Sequence, residues 1–499
     1  MKTKTVLIPQ NRVISLFGSF LAATVVVCCF LTSCNSKEDL FNPASDNDFN
    51  ATSKSLKCGK VFTVSPSGNF NDDSYNIQEA LDAAVVEGPG SIVKLAKGTF
   101  YLKERIEVEG FDGFFKGAGK DKTIITTHDA VNFSIPSGDQ ESLIKFRHGN
   151  IKISDLTLKI SNPNPCTGLN NNENWQNALP SVIMITGSSI ENQGEEVQPV
   201  SFTFNNLKFV GGAGNYWDNR NLCYFIYVCG DGSIEPYTLK GEFKVTNCEF
   251  QSAVTGIASF YTTGPFIVGG SEASGNIFSD ASWGVGIMDI NNSSCNISFN
   301  HFSKMYHTAV ELWQGGAVDP TLLSMGKYTV CNNDIEVNSS DPEAPGFTNA
   351  VRLVDVGLYV GVGKKMEAVV SANKIYMNNI GFAGILIECC QNAVVTNNKL
   401  WGSGLAGIVG GIWDEPSDGG FLKGNNVNGV TGQVAPIWLG PLSSNYVVYA
   451  DKSDVLDEGT DNILIGEHNK RPGHPGPDIK ERMMRHNDIM KLHKHPGMH

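Results

Sequence analysis

The chain of 499 residues is poor in charge and lacks the cysteine spacing of common metal sites. Only 18% of its residues are Asp, Glu, Lys or Arg, and the net charge is −13 at pH 7. A chain this acidic is not expected to bind nucleic acid or other polyanions. Its twelve cysteines include no C-x-x-C pair, and the nine beyond Cys34 are an odd number. This pattern indicates neither a zinc site nor a fully paired disulfide framework.

Helical spacing is also missing from the second half of the chain, where a short phrase repeats instead. Residues 370–375 (VSANKI) recur 25 residues later as residues 395–400 (VTNNKL), and each copy is followed by a glycine-opened apolar run. Short strands separated by Asn and Gly turns at such a period are typical of stacked β coils. One coil cannot bury its own apolar side, whereas a stack of coils can.

The same phrase extends in both directions, with an apolar anchor in each coil and Asn, or in one coil Cys248, just before it. Asn tolerates the left-handed backbone of a sharp corner, and its amide can hydrogen-bond to the neighbouring coil. We therefore expect one corner of the stack to carry a column of asparagines. The predicted anchors, spaced 24 to 40 residues apart, are Phe250, Phe278, Phe302, Ile335, Ile375, Leu400 and Val427.

The N-terminal segment predicts export. Residues 1–33 are basic at the start and then apolar, as in a secretory signal peptide, and Leu31-Thr32-Ser33-Cys34 resembles a bacterial lipobox. The resemblance implies that Cys34 is acylated and tethers the protein to a membrane; an uncleaved anchor helix is the alternative. Residues 35–39 resemble the surface-export signal of Bacteroidetes-type lipoproteins. We expect an outer-membrane lipoprotein, exposed at the cell surface or alternatively facing the periplasm, with a flexible tether over residues 34–59.

The start of the repeat resembles a known superfamily. Residues 77–84 predict a short amphipathic helix, and strand-and-turn units follow at residues 92–95, 98–102 and 117–125. Together with the coils, these resemble the pectate-lyase-like right-handed parallel β-helix superfamily. The resemblance implies an all-β, single-stranded right-handed parallel β-helix (a solenoid) over residues 60–465. It has a short N-terminal capping helix.

Residues 466–499 form a histidine-rich tail in which residues 477–493 predict a short C-terminal helix. That helix would cover the open end of the stack.

Aligning the second strand of each coil predicts the functional site. The inward column is expected to hold Ile257, Ile287, Val310, Val351, Ile385 and Ile408, so the residues that follow them point outward. Glu311 and Arg352 should then stack directly, since neighbouring coils lie about 4.8 Å apart. Glu388 should lie diagonal to Arg352, and Trp313 should join the same face.

Two reaction classes suit this cluster, and a structural explanation competes with both. A glycoside hydrolase would use Glu311 and Glu388 as its carboxyl pair. A uronate lyase would use Arg352 as the cation and Glu311, Glu388 or His307 as the base. A calcium ion held by carboxylates could replace the arginine; no other cofactor is expected. Otherwise, Glu311 and Arg352 form only a cross-strand ion pair worth about 0.2–1 kcal/mol.

The expected function is therefore action on polysaccharide, by a lyase-like or hydrolase-like monomer. The alternative is a non-catalytic surface β-helix that binds glycan or a partner protein. The chain lacks R-x-P-x-x-R, G-H-G, R-I-K and D-P-H, the motifs of pectate lyases, polygalacturonase-type hydrolases and alginate epimerases of this fold, so membership in those families is unsupported. The candidate sugar-binding residues are Trp313, Trp413 and Asp414, with Trp217 and Arg220 in a long irregular region at residues 161–240.

Overall fold

The computed structural model describes residues 59–127, 142–160, 181–187, 198–211, 224–230, 239–291, 293–314, 326–339, 348–357, 366–412 and 416–466. Our predictions for the signal peptide, Cys34, the tether and the histidine-rich tail with its helix lie outside these residues.

Within the described residues the chain is almost entirely β, with one α-helix, α1 (Phe70–Glu87), and two single-turn 3-10 helices, Glu272–Ser274 and Lys452–Asp454. The strands, in chain order, are β1 (Val61–Val64), β2 (Ser91–Leu95), β3 (Gly98–Leu102), β4 (Ile106–Lys116), β5 (Thr123–Thr127), β6 (Ser142–Lys159), β7 (Ser181–Thr186), β8 (Val200–Val210), β9 (Tyr224–Cys229), β10 (Leu239–Lys240), β11 (Phe243–Thr246), β12 (Glu249–Thr263), β13 (Phe266–Gly269), β14 (Ile277–Asn291), β15 (Ser294–Ser298), β16 (His301–Trp313), β17 (Gly326–Cys331), β18 (Asp334–Asn338), β19 (Asn349–Val354), β20 (Met366–Ser371), β21 (Lys374–Asn378), β22 (Ala383–Glu388), β23 (Val394–Thr396), β24 (Lys399–Gly410), β25 (Ser417–Asp418), β26 (Phe421–Lys423), β27 (Asn426–Leu439), β28 (Ser443–Ser444), β29 (Val447–Tyr449), β30 (Val455–Asp457) and β31 (Ile463–Ile465).

Strand pairing confirms the predicted parallel β-helix. Twenty-nine strands join one sheet, and each pairs in parallel with strands one coil before and after it. The pairs form three faces. Face 1 contains β7, β9, β19, β22, β30 and the C-terminal halves of β12, β14, β16, β24 and β27. Face 2 runs from β1 through β17 and β20 to β31, and face 3 includes β18, β21 and the N-terminal halves of the long strands.

The predicted anchors form the core inside the coils. Phe209, Phe250, Phe278 and Phe302 are buried and stack ring on ring, with centroid distances of 4.9, 4.5 and 4.7 Å along the row. Ile335, Ile375, Leu400 and Val427 continue the same row, and all four are buried. Stacking stabilises this row, because each side chain covers the apolar surface of its neighbour in the next coil.

A column of asparagines, buried in every coil but the last, lies at the corner between faces 2 and 3. The side-chain amide of Asn333, for example, donates to the carbonyl of Ile297 at 2.9 Å and to Asn373 Oδ1 at 3.0 Å. The predicted hydrogen bonding between coils is therefore confirmed. We call this column the asparagine ladder, and it consists of Asn276, Asn300, Asn333, Asn373, Asn398 and Asn425.

Two details of the predicted corner are wrong. The left-handed backbone belongs to the residue before the ladder position, such as Phe299, Asn332 or Ala372, with φ of 55–59°. The ladder asparagine itself must place its amide inside the coil, so the sharp turn falls one residue earlier. In the last coil Asn425 joins the ladder, whereas Asn426, which we placed there, is exposed.

Helix α1 caps the first coils, as predicted, and its polar side chains replace a missing neighbouring strand. Ile77, Leu81 and Ala84 are buried in the core. Gln78 donates to the carbonyl of Glu107 at 2.7 Å and accepts from its amide at 3.0 Å. Asp73 accepts from the amide of Tyr101 at 2.9 Å. These contacts satisfy backbone groups that an open sheet edge would leave unpaired.

The prediction that residues 161–240 are irregular is wrong in part. This stretch contains strands β7, β8 and β9, whose alternating or continuous apolar residues fit the coils before and after them. The asparagines and prolines between them had obscured the shorter apolar runs.

Five cysteines are buried among the strands: Cys248, Cys295, Cys331, Cys389 and Cys390. Burial raises the pKa of the Cys248 thiol to about 12, which keeps it protonated and unreactive.

Candidate functional site

Strand register places the predicted cluster on the outer side of face 1. Glu311 in β16 pairs directly with Arg352 in β19, and Val354 two residues later pairs with Glu388 in β22. Side chains alternate along a strand, so Glu311, Arg352 and Glu388 all point away from the core.

One strand of the predicted alignment is displaced by two residues. In β14 the inward partner of Val310 is Val285, not Ile287, and Gly286 rather than Met288 lies beside Glu311. A shift of two residues leaves the inward–outward alternation intact, which is why the sequence pattern did not reveal it.

The three charged residues form a compact triad. Arg352 Nη1 donates to Glu311 Oε1 at 2.7 Å, and Arg352 Nε donates to Glu388 Oε2 at 3.0 Å. The exposed fractions of the side chains are 19% for Glu311, 11% for Arg352 and 9% for Glu388. Both predicted contacts are confirmed. The guanidinium also lies where a cation between the two carboxylates would have to sit.

The two glutamates of the triad differ in burial, and burial affects the pKa of Glu388. Burial raises the pKa of Glu388, and the nearby charges of Glu311 and Asp355 raise it further, while Arg352 opposes the shift. The pKa of Arg352 is raised because both glutamates stabilise its positive charge against the cost of burial. Burial thus favours the protonated form of the Glu388 carboxyl group.

His307 lies in β16 at the start of face 1, on the same side as the triad. Its ring packs on Trp283 of the preceding coil at a centroid distance of 4.2 Å, and its Nδ1 is 2.9 Å from Thr308 Oγ1. Burial and the positive charge of Arg352 lower the pKa of His307 to about 3. His307 is therefore neutral at physiological pH. It lies within the continuous strand β16 rather than in a turn before it.

Trp313 stands beside the triad, and Asp355 is a site residue that our sequence analysis missed. Trp313 Nε1 donates to Asp355 Oδ2 at 3.1 Å. The amide of Asp355 donates to the carbonyl of Glu388 at 3.0 Å, and its φ of 56° is left-handed. Cys389, directly after β22, has the same conformation with φ of 53°, so Asp355 occupies a corner of the coil. The sequence feature that could have identified Asp355 is its position as an acidic residue directly after strand β19.

Beyond the triad, face 1 becomes apolar and covered. Leu386, Val409 and Trp438 follow Arg352 in the same outward column, and none of them is exposed. They belong to an outer apolar cluster, a second core outside the coils, whose members are Phe382, Ala383, Leu386, Leu405, Ala406, Val409, Ile412, Val434, Ala435 and Trp438.

Four predicted sugar-binding residues, Trp217, Arg220, Trp413 and Asp414, lie outside the described residues. Among the described residues, no group of three or more His, Cys, Asp and Glu side chains could hold a metal ion. No helix in that part of the chain is both long and apolar enough to cross a membrane.

Comparison with known proteins found likeness only among solved structures. No protein-family model and no curated protein matches the chain. The A-module of a mannuronan C-5 epimerase from Azotobacter vinelandii is 11% identical, with 80% of this chain and 96% of that chain covered and a TM-score of 0.32. The lacto-N-biosidase from Eubacterium ramulus is 12% identical, covering 82% and 67%, with a TM-score of 0.41. A surface adhesin of Streptococcus pneumoniae is 15% identical, covering 81% and 93%, with a TM-score of 0.37.

Proposed function

We propose that the protein is a carbohydrate-active β-helix and that Glu311, Arg352 and Glu388 form the catalytic centre of a glycoside hydrolase. The observation that carries this proposal is a largely buried charged triad on face 1. The column of Glu311 and Arg352 is apolar in the next coils, and Glu388 follows Trp313 and Val354 in the neighbouring outward column. Buried ion pairs rarely improve stability over well-packed apolar residues. Leu386, Val409 and Trp438 show that this fold accepts apolar residues there. The charges therefore point to chemistry rather than to folding.

The two glutamates have the properties of an acid and a base. Glu388 is the more buried and has a raised pKa, which suits a general acid that protonates the leaving oxygen. Glu311 is more exposed, and its Oε1 is held by Arg352 Nη1, which positions it as the base or nucleophile. Strands two coils apart are separated by roughly 9.6 Å. Because both side chains reach towards one guanidinium, the carboxyl groups can approach the separation of about 5–9.5 Å that glycosidases use.

Lyase chemistry is supported less well by the same contacts. A uronate lyase needs a cation for the substrate carboxylate, and Arg352 already binds two carboxylates. An additional anion would meet the negative charges of Glu311 and Asp355. Calcium remains an alternative cation that an assay can test.

The decisive experiment is a paired assay on the chain lacking residues 1–34. Neutral and uronate-containing polysaccharides would be incubated with it, with and without calcium, while reducing ends and absorbance of unsaturated uronates are followed together. We expect reducing ends without absorbance. Glu388→Gln and Glu311→Gln should each lower the rate by about 10²–10⁴-fold.

The matched control is Glu336→Gln on face 3, which should keep full activity. Absorbance that depends on Arg352 would identify a lyase instead. Retained activity in both glutamine variants would show that the triad does not take part in catalysis. No turnover of any polysaccharide would favour the second candidate, a surface protein that binds glycan or a partner. The tight mutual pairing of the triad is the observation that supports it.

We also propose that Cys34 anchors the protein to the outer membrane at the cell surface. The support is the lipobox-like Leu31-Thr32-Ser33-Cys34 and the polar residues after it. Incorporation of a labelled fatty acid into the wild-type chain, lost in Cys34→Ser, would test the anchor. Protease accessibility on intact cells would distinguish surface exposure from a periplasmic location.

A further inference from the structure

The outward column of face 1 has an open floor beside the triad. Gly286 lies next to Glu311, and Ala258 lies next to Gly286. A Cβ built on Gly286 has no neighbouring heavy atom within 4 Å, and its φ is outside the left-handed region. Neither packing nor backbone conformation therefore requires glycine here. The space above it is available to a ligand.

Aromatic side chains line both sides of this floor. On one side, Trp283 and His307 form their ring pair at 4.2 Å. On the other side, Phe260, Met288 and Trp313 follow one another on successive coils, and each is half-buried. Tyr227 lies beyond Ala258, with its ring 5.5 Å from that of Phe260. We call this surface the aromatic groove.

The groove stops at the triad. In the direction of the C-terminal coils, Leu386, Val409 and Trp438 are fully buried in the outer apolar cluster, so the accessible column ends at Arg352. In the other direction Gly286 and Tyr227 are half-buried, whereas Ala258 between them is buried. Beyond Gly286 a ligand would therefore contact the rings of Phe260 and Tyr227 rather than the floor. A linear ligand lying along the coils would therefore end against Glu311 and Arg352.

We propose that the aromatic groove binds the terminus of a neutral pyranose chain, with the terminal units over Gly286 and the rest of the chain extending towards Tyr227. Aromatic ring faces pack well on the C–H faces of pyranoses, and polar edges can hydrogen-bond at the rim. The described groove residues supply no cation except Arg352, which is paired with two glutamates. This inference rests on the proposed function for the reaction, but binding can be tested separately.

The binding test uses the Glu388→Gln variant, so that the probes are not consumed. Short neutral gluco-, galacto-, manno- and xylo-oligosaccharides would be titrated by calorimetry, with oligogalacturonates as the charged comparison. We expect at least one neutral oligosaccharide to bind and the oligogalacturonates not to bind. Adding Gly286→Trp should weaken binding at least about tenfold, and Gly286→Ala should leave it within about twofold.

If the Gly286→Trp variant does not fold, Trp283→Ala tests binding in the same groove. It should also weaken binding at least about tenfold. Equal thermal unfolding of the Gly286→Ala and wild-type chains checks that the floor tolerates a side chain. The proposal is overturned if no neutral oligosaccharide binds, if only oligogalacturonates bind, or if Gly286→Trp, correctly folded, binds as tightly as Gly286→Ala.

Product analysis with the wild-type chain tests the terminus. We expect one short product from the earliest time points; an even ladder of fragments would overturn that placement. Binding without turnover would leave the groove intact and remove the hydrolase proposal. Turnover that is unaffected by Gly286→Trp would leave the hydrolase proposal intact and remove the groove as its substrate-binding site.

Discussion

The asparagine ladder and the charged triad are both buried polar networks, yet they differ in repetition and in charge. The ladder occupies one corner in six successive coils, and its side-chain amides bond from coil to coil at 2.9–3.0 Å. The triad spans three coils on face 1, and the residues that follow Arg352 in its column are apolar. Networks that recur in every coil serve the stack. A charged network that occurs in a few coils needs another explanation, and we assign it to function.

The largest expected loss of stability comes from a substitution at the centre of the asparagine ladder. Asn333→Leu leaves Asn300 N, Asn300 Nδ2 and the carbonyl of Ile297 without the partners they have now. Each such loss costs about 1–3 kcal/mol, so we expect the free energy of unfolding to fall by about 4–6 kcal/mol. Denaturant titration measures the change. The control Asp334→Ala, an exposed neighbour, should change it by less than about 0.5 kcal/mol. Equal stability of the two variants would contradict a structural ladder.

Breaking the triad should lower the free energy of unfolding somewhat less than breaking the ladder does. Substituting the two glutamates as well should restore it. Arg352→Met leaves two glutamates without their cation, and we expect a loss of about 3–4 kcal/mol at neutral pH. The loss should shrink on acidification. Without Arg352 the pKa of Glu388 rises further, so the folded state binds more protons than the unfolded state and stability falls as pH rises.

The repaired form is the triple variant Glu311→Leu, Arg352→Met, Glu388→Leu. It should be at least as stable as wild type in denaturant titration, because apolar residues already occupy the neighbouring outward positions: Leu386 follows Arg352, and Val354 precedes Glu388. It should also be inactive. A triple variant as unstable as Arg352→Met would show that the charges serve folding, as the ladder does.

An effect of a different kind, which depends on pH, is expected from His307. Its pKa is about 3 in the folded chain and 6.5 ordinarily, so between these values the unfolded chain binds the extra proton. Wild-type stability should therefore rise with pH across this window and be lost as pH falls through it. His307→Gln should flatten that part of the profile of unfolding temperature against pH. His301→Gln, an exposed histidine on face 3, is the control. An unchanged slope in His307→Gln would contradict the assignment.

The smallest effect should come from extending the ladder by one coil. Cys248 occupies the ladder position before Asn276, and its amide already donates to Asn276 Oδ1 at 2.9 Å. Cys248→Asn supplies a side-chain donor for the same oxygen, so we expect a gain of about 1 kcal/mol in unfolding free energy. Cys295→Asn, at a buried position away from the corner, should be destabilising instead. A loss of stability in both variants would show that the ladder cannot grow in this direction.

Much of the candidate site could be predicted because it depends on local alternation and on coil spacing alone. Glu311, Arg352 and Glu388 lie in strands whose apolar patterns align without ambiguity, so their contacts followed from the sequence. Gly286 could not be placed, because a two-residue displacement of β14 satisfies the same pattern. Asp355 was missed because its role depends on a left-handed corner and on Trp313 in the preceding coil.

The sequence by itself determined the coil, the buried row of anchors, the asparagine column and the capping helix, because each follows from residues that are close in the chain or repeat at a regular period. Tertiary structure alone decided that face 1 is open over Gly286 and covered beyond Arg352. It also decided that Glu388 is buried enough for its pKa to rise. These properties depend on which residues of distant coils and connecting segments meet across a face, and packing between them is not written in any local pattern.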